Sequence, residues 1–270
     1  MFLRRVISAS ILILIITASL LIDLRFNSYL TSLVITLFII LGLYEFFTML
    51  ENKGIKVYKY FGIAMGTAIP LSILTRFETT KNWELLFVTL ALLFLFLMQF
   101  RRRQNSGVVI DIATTLFGIF YVSWLFSFLI KIRYLPGGIG LLTAILLITK
   151  LGDIGAYLVG SRFGKRPLMP RVSPKKSVEG AWGGLCFSVL GALISSAFIE
   201  FSYLHLISLG VFLGILGQLG DLSESLMKRD CQVKDSGGIF PGIGGVLDSI
   251  DSLLFTAPAF YFYMSAILKQ

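Results

Sequence analysis

Long apolar runs, broken by short segments rich in lysine and arginine, set the pattern of this chain. A helix needs roughly 20 apolar residues to cross ~30 Å of hydrocarbon. Nine stretches meet that need, near Val6–Ile22, Tyr29–Leu50, Tyr60–Leu74, Trp83–Phe100, Val108–Ile130, Ile139–Val159, Ala181–Ile199, Leu204–Gly220 and Val246–Leu268. The third is short and holds Pro70, which predicts a tilted, broken or re-entrant segment. Pro258 predicts a kink in the ninth, because proline has no amide hydrogen to donate. The runs lack the alternation of a membrane barrel, so strands are not expected. The pattern therefore predicts an all-α, polytopic integral membrane protein of about nine transmembrane helices. The longest polar loops, 161–180 and 221–245, leave no room for a separate soluble domain. Arg4 and Arg5 precede the first run as they would in a signal peptide. That run exceeds the usual core of about 7–15 residues, and no clear small-x-small site follows it, so a retained anchor is expected.

Loop charge gives the orientation. With the N-terminus in the cytoplasm, seventeen Lys and Arg residues fall in cytoplasmic segments and six on the opposite side, with Lys150 inside a span. That asymmetry follows the positive-inside rule and places the two polar loops in the cytoplasm. Composition agrees: 56% of residues are hydrophobic and 14% charged, against about 25% charged in a soluble domain. A water-soluble enzyme and a disordered chain are both excluded. The net charge of +9 reads as one-sided loop charge, not as a nucleic-acid footprint. Two cysteines, Cys186 and Cys231, suggest no disulfide framework.

Chemistry is unevenly distributed. Residues 1–145 read as a scaffold of lipid-facing helices, and residues 146–270 as helices bearing cytoplasmic catalytic motifs, the two forming one continuous membrane domain. In the first part, Glu45 and Asp111 lie in or near spans, where an ionisable residue has a function or a partner. His205, the only histidine, reads as an interfacial polar residue, which argues against histidine general-base chemistry. Nine of the 15 acidic residues lie between Asp153 and Asp251, among clustered lysines and glycines.

Three constellations stand out there. Lys150 and Asp153 share a helix face and can neutralise each other within the membrane. The following Gly160-Ser-Arg-Phe-Gly164-Lys165 is not a phosphate loop, because its spacing is one short and no Ser or Thr follows the lysine. Second, Ser173-Pro-Lys175-Lys176-Ser177-Val-Glu179-Gly180 puts lysines just before a helix expected near Ser177, with Pro174 stopping regular structure ahead of it. That arrangement suits a phosphate site or a basic loop on an anionic bilayer. Third, Asp221, Glu224, Ser225 and Lys228 recur at one helix face, and Asp248 and Asp251 lie one turn apart at the start of the ninth helix. Carboxylates converging from helix ends suit a hard divalent cation and phosphoryl displacement. The other reading is a charged turn with local salt bridges.

At these residues the chain resembles the phosphatidate cytidylyltransferase (CDP-diacylglycerol synthase) family. The resemblance is carried by Ser225-Leu-Met-Lys228-Arg229, Lys234-Asp235, Pro241-Gly242-Ile243-Gly244-Gly245 and Asp248-Ser249-Ile250-Asp251. Gly220-Asp221-Leu-Ser-Glu224, Asp153-Ile-Gly-Ala-Tyr157 and Ser173-Pro-Lys-Lys176 with Glu179-Gly180 add to it. The strong part covers about residues 150–255. Ile243 stands where the family usually has His, Ser249 where it has Arg, and Ser177-Val178 where it has Thr-Trp.

The resemblance implies a nucleotidyltransferase that converts CTP and phosphatidic acid to CDP-diacylglycerol and pyrophosphate, with Mg2+ in one or two copies. It implies catalytic roles for Asp221, Lys228, Arg229, Lys234, Asp235 and Asp248. It implies substrate binding by Asp153, Lys165, Ser173, Lys175, Lys176, Glu179 and Ser225, and metal binding by Asp221, Asp248 and Asp251. Asp235 is open to binding the metal or orienting Lys234, and Glu224 to orienting Lys228. The implied partners are CTP, phosphatidic acid and membrane lipids, with no nucleic acid. The implied location is the inner (plasma) membrane, multi-pass, with the active site facing the cytoplasm. Two other activities compete. A CTP-dependent lipid or polyprenol kinase would release CDP. A transporter using Lys150, Asp153 and Asp221 as a polar pathway predicts an inverted repeat, and none is visible. Gly62/Gly66 and Gly210/Gly214 permit close helix packing within or between subunits, which leaves a homodimer open.

Overall fold

A computed structural model of the chain describes residues 18–19, 29–75, 83–102, 106–240, 242 and 244–268. Residues 18 and 19 apart, the predicted first span and its retained anchor lie outside the described residues, as do Pro241 and Ile243. In chain order the elements are α1 (Tyr29–Asn52), α2 (Lys59–Leu74), α3 (Trp83–Phe100), α4 (Val108–Arg133), α5 (Gly138–Phe163), β1 (Pro167–Met169), β2 (Ser173–Ser177), α6 (Val178–Ala197), α7 (Tyr203–Asp230) and α8 (Val246–Ile267). By length and apolar composition α1, α4, α5, α6, α7 and α8 can each cross a membrane. The apolar α2 has 16 residues, about 24 Å at 1.5 Å per residue, and Pro70 lies inside it without ending it. The eight predicted spans from the second onward fall one to one on α1–α8, and the chain is an all-α polytopic membrane protein.

Three local expectations differ. The eighth span was expected to stop at Gly220, but α7 continues to Asp230. Hydropathy marks where the apolar run ends. The helix ends later, because residues 221–230 include good helix formers and no Gly or Pro. Asp221, Glu224, Ser225 and Lys228 are therefore helical, as their spacing predicted, and Arg229 with them. The 164–177 segment is not all loop either. β1 and β2 pair antiparallel, with Pro167 opposite Ser177 and Met169 opposite Ser173. Pro174 sits inside β2 and does not stop it, because both strands of a two-stranded ribbon are edges and an edge tolerates a missing N–H. In α4, residues Ile119–Trp124 form a π-helical segment, within which Ser123 Oγ donates to Gly66 O at 2.5 Å.

The chain divides into two compact units, Met1–Ile130 with Cys231–Leu247 and Lys131–Asp230 with Asp248–Gln270. In the first, Ile39, Leu43, Phe46 and Phe47 of α1 are almost fully buried. Gly62 lets α2 approach them: a Cβ there would lie 2.6 Å from Phe47 Cζ. Asp111 is buried and bonds Arg102 Nη1, a bond that holds the guanidinium above its ordinary pKa.

In the second unit, α5 and α6 approach backbone to backbone. A Cβ on Gly180 would lie 3.0 Å from Gly160 Cα, and one on Gly191 would lie 3.0 Å from both Ile148 Cα and Leu147 O. Gly210 approaches Val189 and Gly214 approaches Ser188, so both sequence-noted glycine pairs pack inside the chain. The obstruction at Gly191 is backbone and cannot rotate away. Gly191→Val is therefore expected to destabilise the protein by about 1–3 kcal/mol, read as a lower melting temperature in detergent. An unchanged melting temperature would show that α5 yields.

Candidate functional site

Five elements of the second unit, the ribbon taken as one, converge on a cavity of about 620 Å³, with Gly180 and Ala181 of α6 in its wall. α5 contributes Asp153 and Tyr157, the ribbon contributes Ser173, Lys175 and Lys176, α7 contributes Gln218 and Asp221, and α8 contributes Asp248 and Asp251.

The ribbon is tied down on three sides. Val178 N donates to Arg166 O at 2.8 Å. Glu179 Oε2 accepts from the amides of Lys165 and Arg166 at 3.0 and 3.1 Å. Arg229 Nε donates to Val172 O at 3.2 Å. The α6 helix begins as expected at Ser177, whose Oγ accepts from Gly180 N at 3.1 Å in an N-cap. These bonds fix the approach of Lys175 and Lys176. On the far side, a Cβ at Gly220 would run into the Asp251 carbonyl. The missing side chain at 220 thus allows α7 and α8 to meet where Asp221 and Asp251 project.

Every acid in the cavity has a charged or polar partner. Lys176 Nζ lies 2.6 Å from Asp221 Oδ2. Lys150 Nζ lies 3.0 Å from Asp153 Oδ2 and also reaches Ser249 O and Ser252 Oγ at 3.1 and 3.2 Å. Ser252 Oγ in turn donates to Asp153 Oδ2 at 3.0 Å. Asp251 Oδ1 accepts from Ser252 N at 2.6 Å. Lys228 Nζ bonds both Glu224, one turn earlier on α7, and Asp248 on α8. Carboxylates that suit a cation and ammonium groups that suit phosphate therefore share one space. A polyanion entering it would compete with Asp221 for Lys176.

Among the described residues, no group of three or more His, Cys, Asp or Glu side chains is arranged to hold a metal unaided. The donor set still fits Mg2+, which is commonly held by one or two carboxylates with phosphate oxygens and waters.

Of the sequence-predicted residues, Asp153, Ser173, Lys175, Lys176, Asp221, Asp248 and Asp251 line the cavity. Lys228 bonds one of them. Ser225 is buried on α7. Glu179 and Arg229 bond the ribbon backbone, and the Lys165 side chain is exposed. Lys234 and Asp235 are exposed on a loop belonging to the first unit. Sequence reasoning missed Gln218 and Ser252. Gln218 was signalled by an amide inside an apolar run, and its Nε2 donates to Ala181 O at 2.9 Å.

Comparison with known proteins gives the family. The chain is 34% identical to a phosphatidate cytidylyltransferase of Synechocystis sp. over 269 residues, 88% of this chain and 89% of the relative. It is 34% identical to one from Staphylococcus saprophyticus over 222 residues, 80% and 85% of the two chains. It is 38% identical to one from Bacillus subtilis over 165 residues, 60% and 61% of the two chains. The model of the cytidylyltransferase family matches residues 3–267, which takes in every residue lining the cavity, and the chain belongs to that family.

Proposed function

We propose that this protein transfers the cytidylyl group of CTP to phosphatidate, forming CDP-diacylglycerol and releasing pyrophosphate. The observation that carries the reading is the cavity in which Lys175 and Lys176 stand beside Asp153, Asp221, Asp248 and Asp251, in a chain matched almost end to end by the family.

The chemistry follows from those groups. The nucleophile is an oxygen of the lipid phosphate, largely dianionic at neutral pH because its second pKa is about 6. It forms a bond to the α-phosphorus of CTP while the bond from that phosphorus to the α–β bridging oxygen breaks, and pyrophosphate leaves with the electron pair. No proton has to be removed, in keeping with a cavity that has no histidine. What the chain supplies is alignment and neutralisation of two polyanions. Lys175 and Lys176 bind phosphate oxygens, and Lys228 holds Asp248 in place. Asp221, Asp248 and Asp251 would hold Mg2+. When bound, that ion neutralises charge on the departing pyrophosphate.

The acyl chains stay in the bilayer while the headgroup enters from the cytoplasmic leaflet of the inner membrane. The one-sided distribution of basic residues supports that orientation. The test is purified protein with CTP, Mg2+ and phosphatidic acid in mixed micelles. Equal amounts of CDP-diacylglycerol and pyrophosphate are expected. CDP in place of pyrophosphate would make the protein a kinase, and no pyrophosphate above a metal-free control would end the reading.

A further inference from the structure

We infer that Glu45, on α1 and far outside the C-terminal motifs, is a positioning residue that clamps the glycine-rich loop between α7 and α8. The inference rests on the proposed function for its link to turnover.

Glu45 is 4% exposed. Its Oε2 accepts from Ser236 Oγ at 3.2 Å and from Leu247 N at 2.9 Å. One carboxylate thus grips both ends of the loop. Leu247 is the second residue of α8, where the backbone N–H has no partner within the helix and a negative charge is favoured. Four of the loop's five glycines divide into two sets by what they do. Gly242 and Gly244 have φ of 88° and 126°, and Gly244 exchanges two backbone bonds with Phe240 at 2.9 and 3.0 Å. These two make a turn that side chains would strain. Gly237 and Gly245 instead make room: a Cβ on Gly237 would run into Glu45 Oε1, and one on Gly245 into Glu45 Oε2 and Ser236 Oγ. Two of the five glycines in what looks like a flexible link are therefore the socket of a buried carboxylate. Lys234 and Asp235 sit on that loop, and Asp248 follows Leu247 directly in the chain. Holding residues 236 and 247 fixes the run that Lys234, Asp235 and Asp248 flank.

The test is Glu45→Gln in the full-length protein. Hydrogen–deuterium exchange is expected to rise across 236–247. Turnover is expected to fall by about 10²-fold with the KM for CTP and the melting temperature nearly unchanged. Gly245→Ala should cost less turnover in a Glu45→Ala background than alone, because the clash with the carboxylate is gone and only the rotatable Ser236 Oγ remains in the way. Unchanged exchange, or a loss of turnover that only follows loss of folded protein, would overturn the clamp. Inactivity of the parent protein would count against the functional reading alone, since exchange still decides the clamp.

Discussion

Asp248→Asn is expected to lower turnover by about 10³-fold, the scale of several kcal/mol of lost charge stabilisation, while leaving the fold intact. The local charges explain why the two effects separate. Glu224, Lys228 and Asp248 form a buried group of two carboxylates around one ammonium, with side-chain exposures of 0%, 11% and 8%. Removing the charge of Asp248 leaves Lys228 still paired with Glu224, so no buried charge is stranded. Asparagine keeps a carbonyl oxygen for Lys228, but it offers a cation a much weaker donor than a carboxylate. The measurement is pyrophosphate release beside thermal unfolding in the same detergent. Near-parental turnover would remove Asp248 from metal binding. A collapse of the melting temperature would show that its role is structural.

The sequence carried most of this site because the chemistry is local. Asp221, Glu224, Ser225 and Lys228 lie at helical spacing on one element, and Asp248 and Asp251 lie one turn apart on another, so their faces follow from α-helix geometry. The eight helices α1–α8 were equally legible as apolar runs, six of them long enough to cross a membrane. What stayed hidden depends on partners distant along the chain. Glu45 meets the loop across 191 and 202 residues, so nothing near position 45 distinguishes a clamp from an interfacial acid. Lys228 reaches Asp248 across 20 residues and a change of helix, and Lys150 reaches Ser252 across 102. The β1–β2 ribbon was missed for another reason. Proline signals a break only where its N–H would be needed, and neither strand of an isolated ribbon has a second neighbour.

The same triad makes Lys228→Met the sharpest test of how this site is held together. Here the positive charge shared by the two buried carboxylates Glu224 and Asp248 is removed. Breaking a buried ion pair from one side costs about 3–5 kcal/mol, much of the stability of an ordinary domain. Lys228→Met should therefore both abolish pyrophosphate release and lower the melting temperature sharply, in contrast to Asp248→Asn. Adding Glu224→Gln to Lys228→Met removes one of the stranded charges. It is expected to restore much of the melting temperature without restoring turnover, because the ammonium that holds Asp248 is still missing. Recovery of both would reduce Lys228 to a structural counter-ion of Glu224. Recovery of neither would show that the methionine disrupts packing between α7 and α8, and that the balance of charge is not what stabilises their ends.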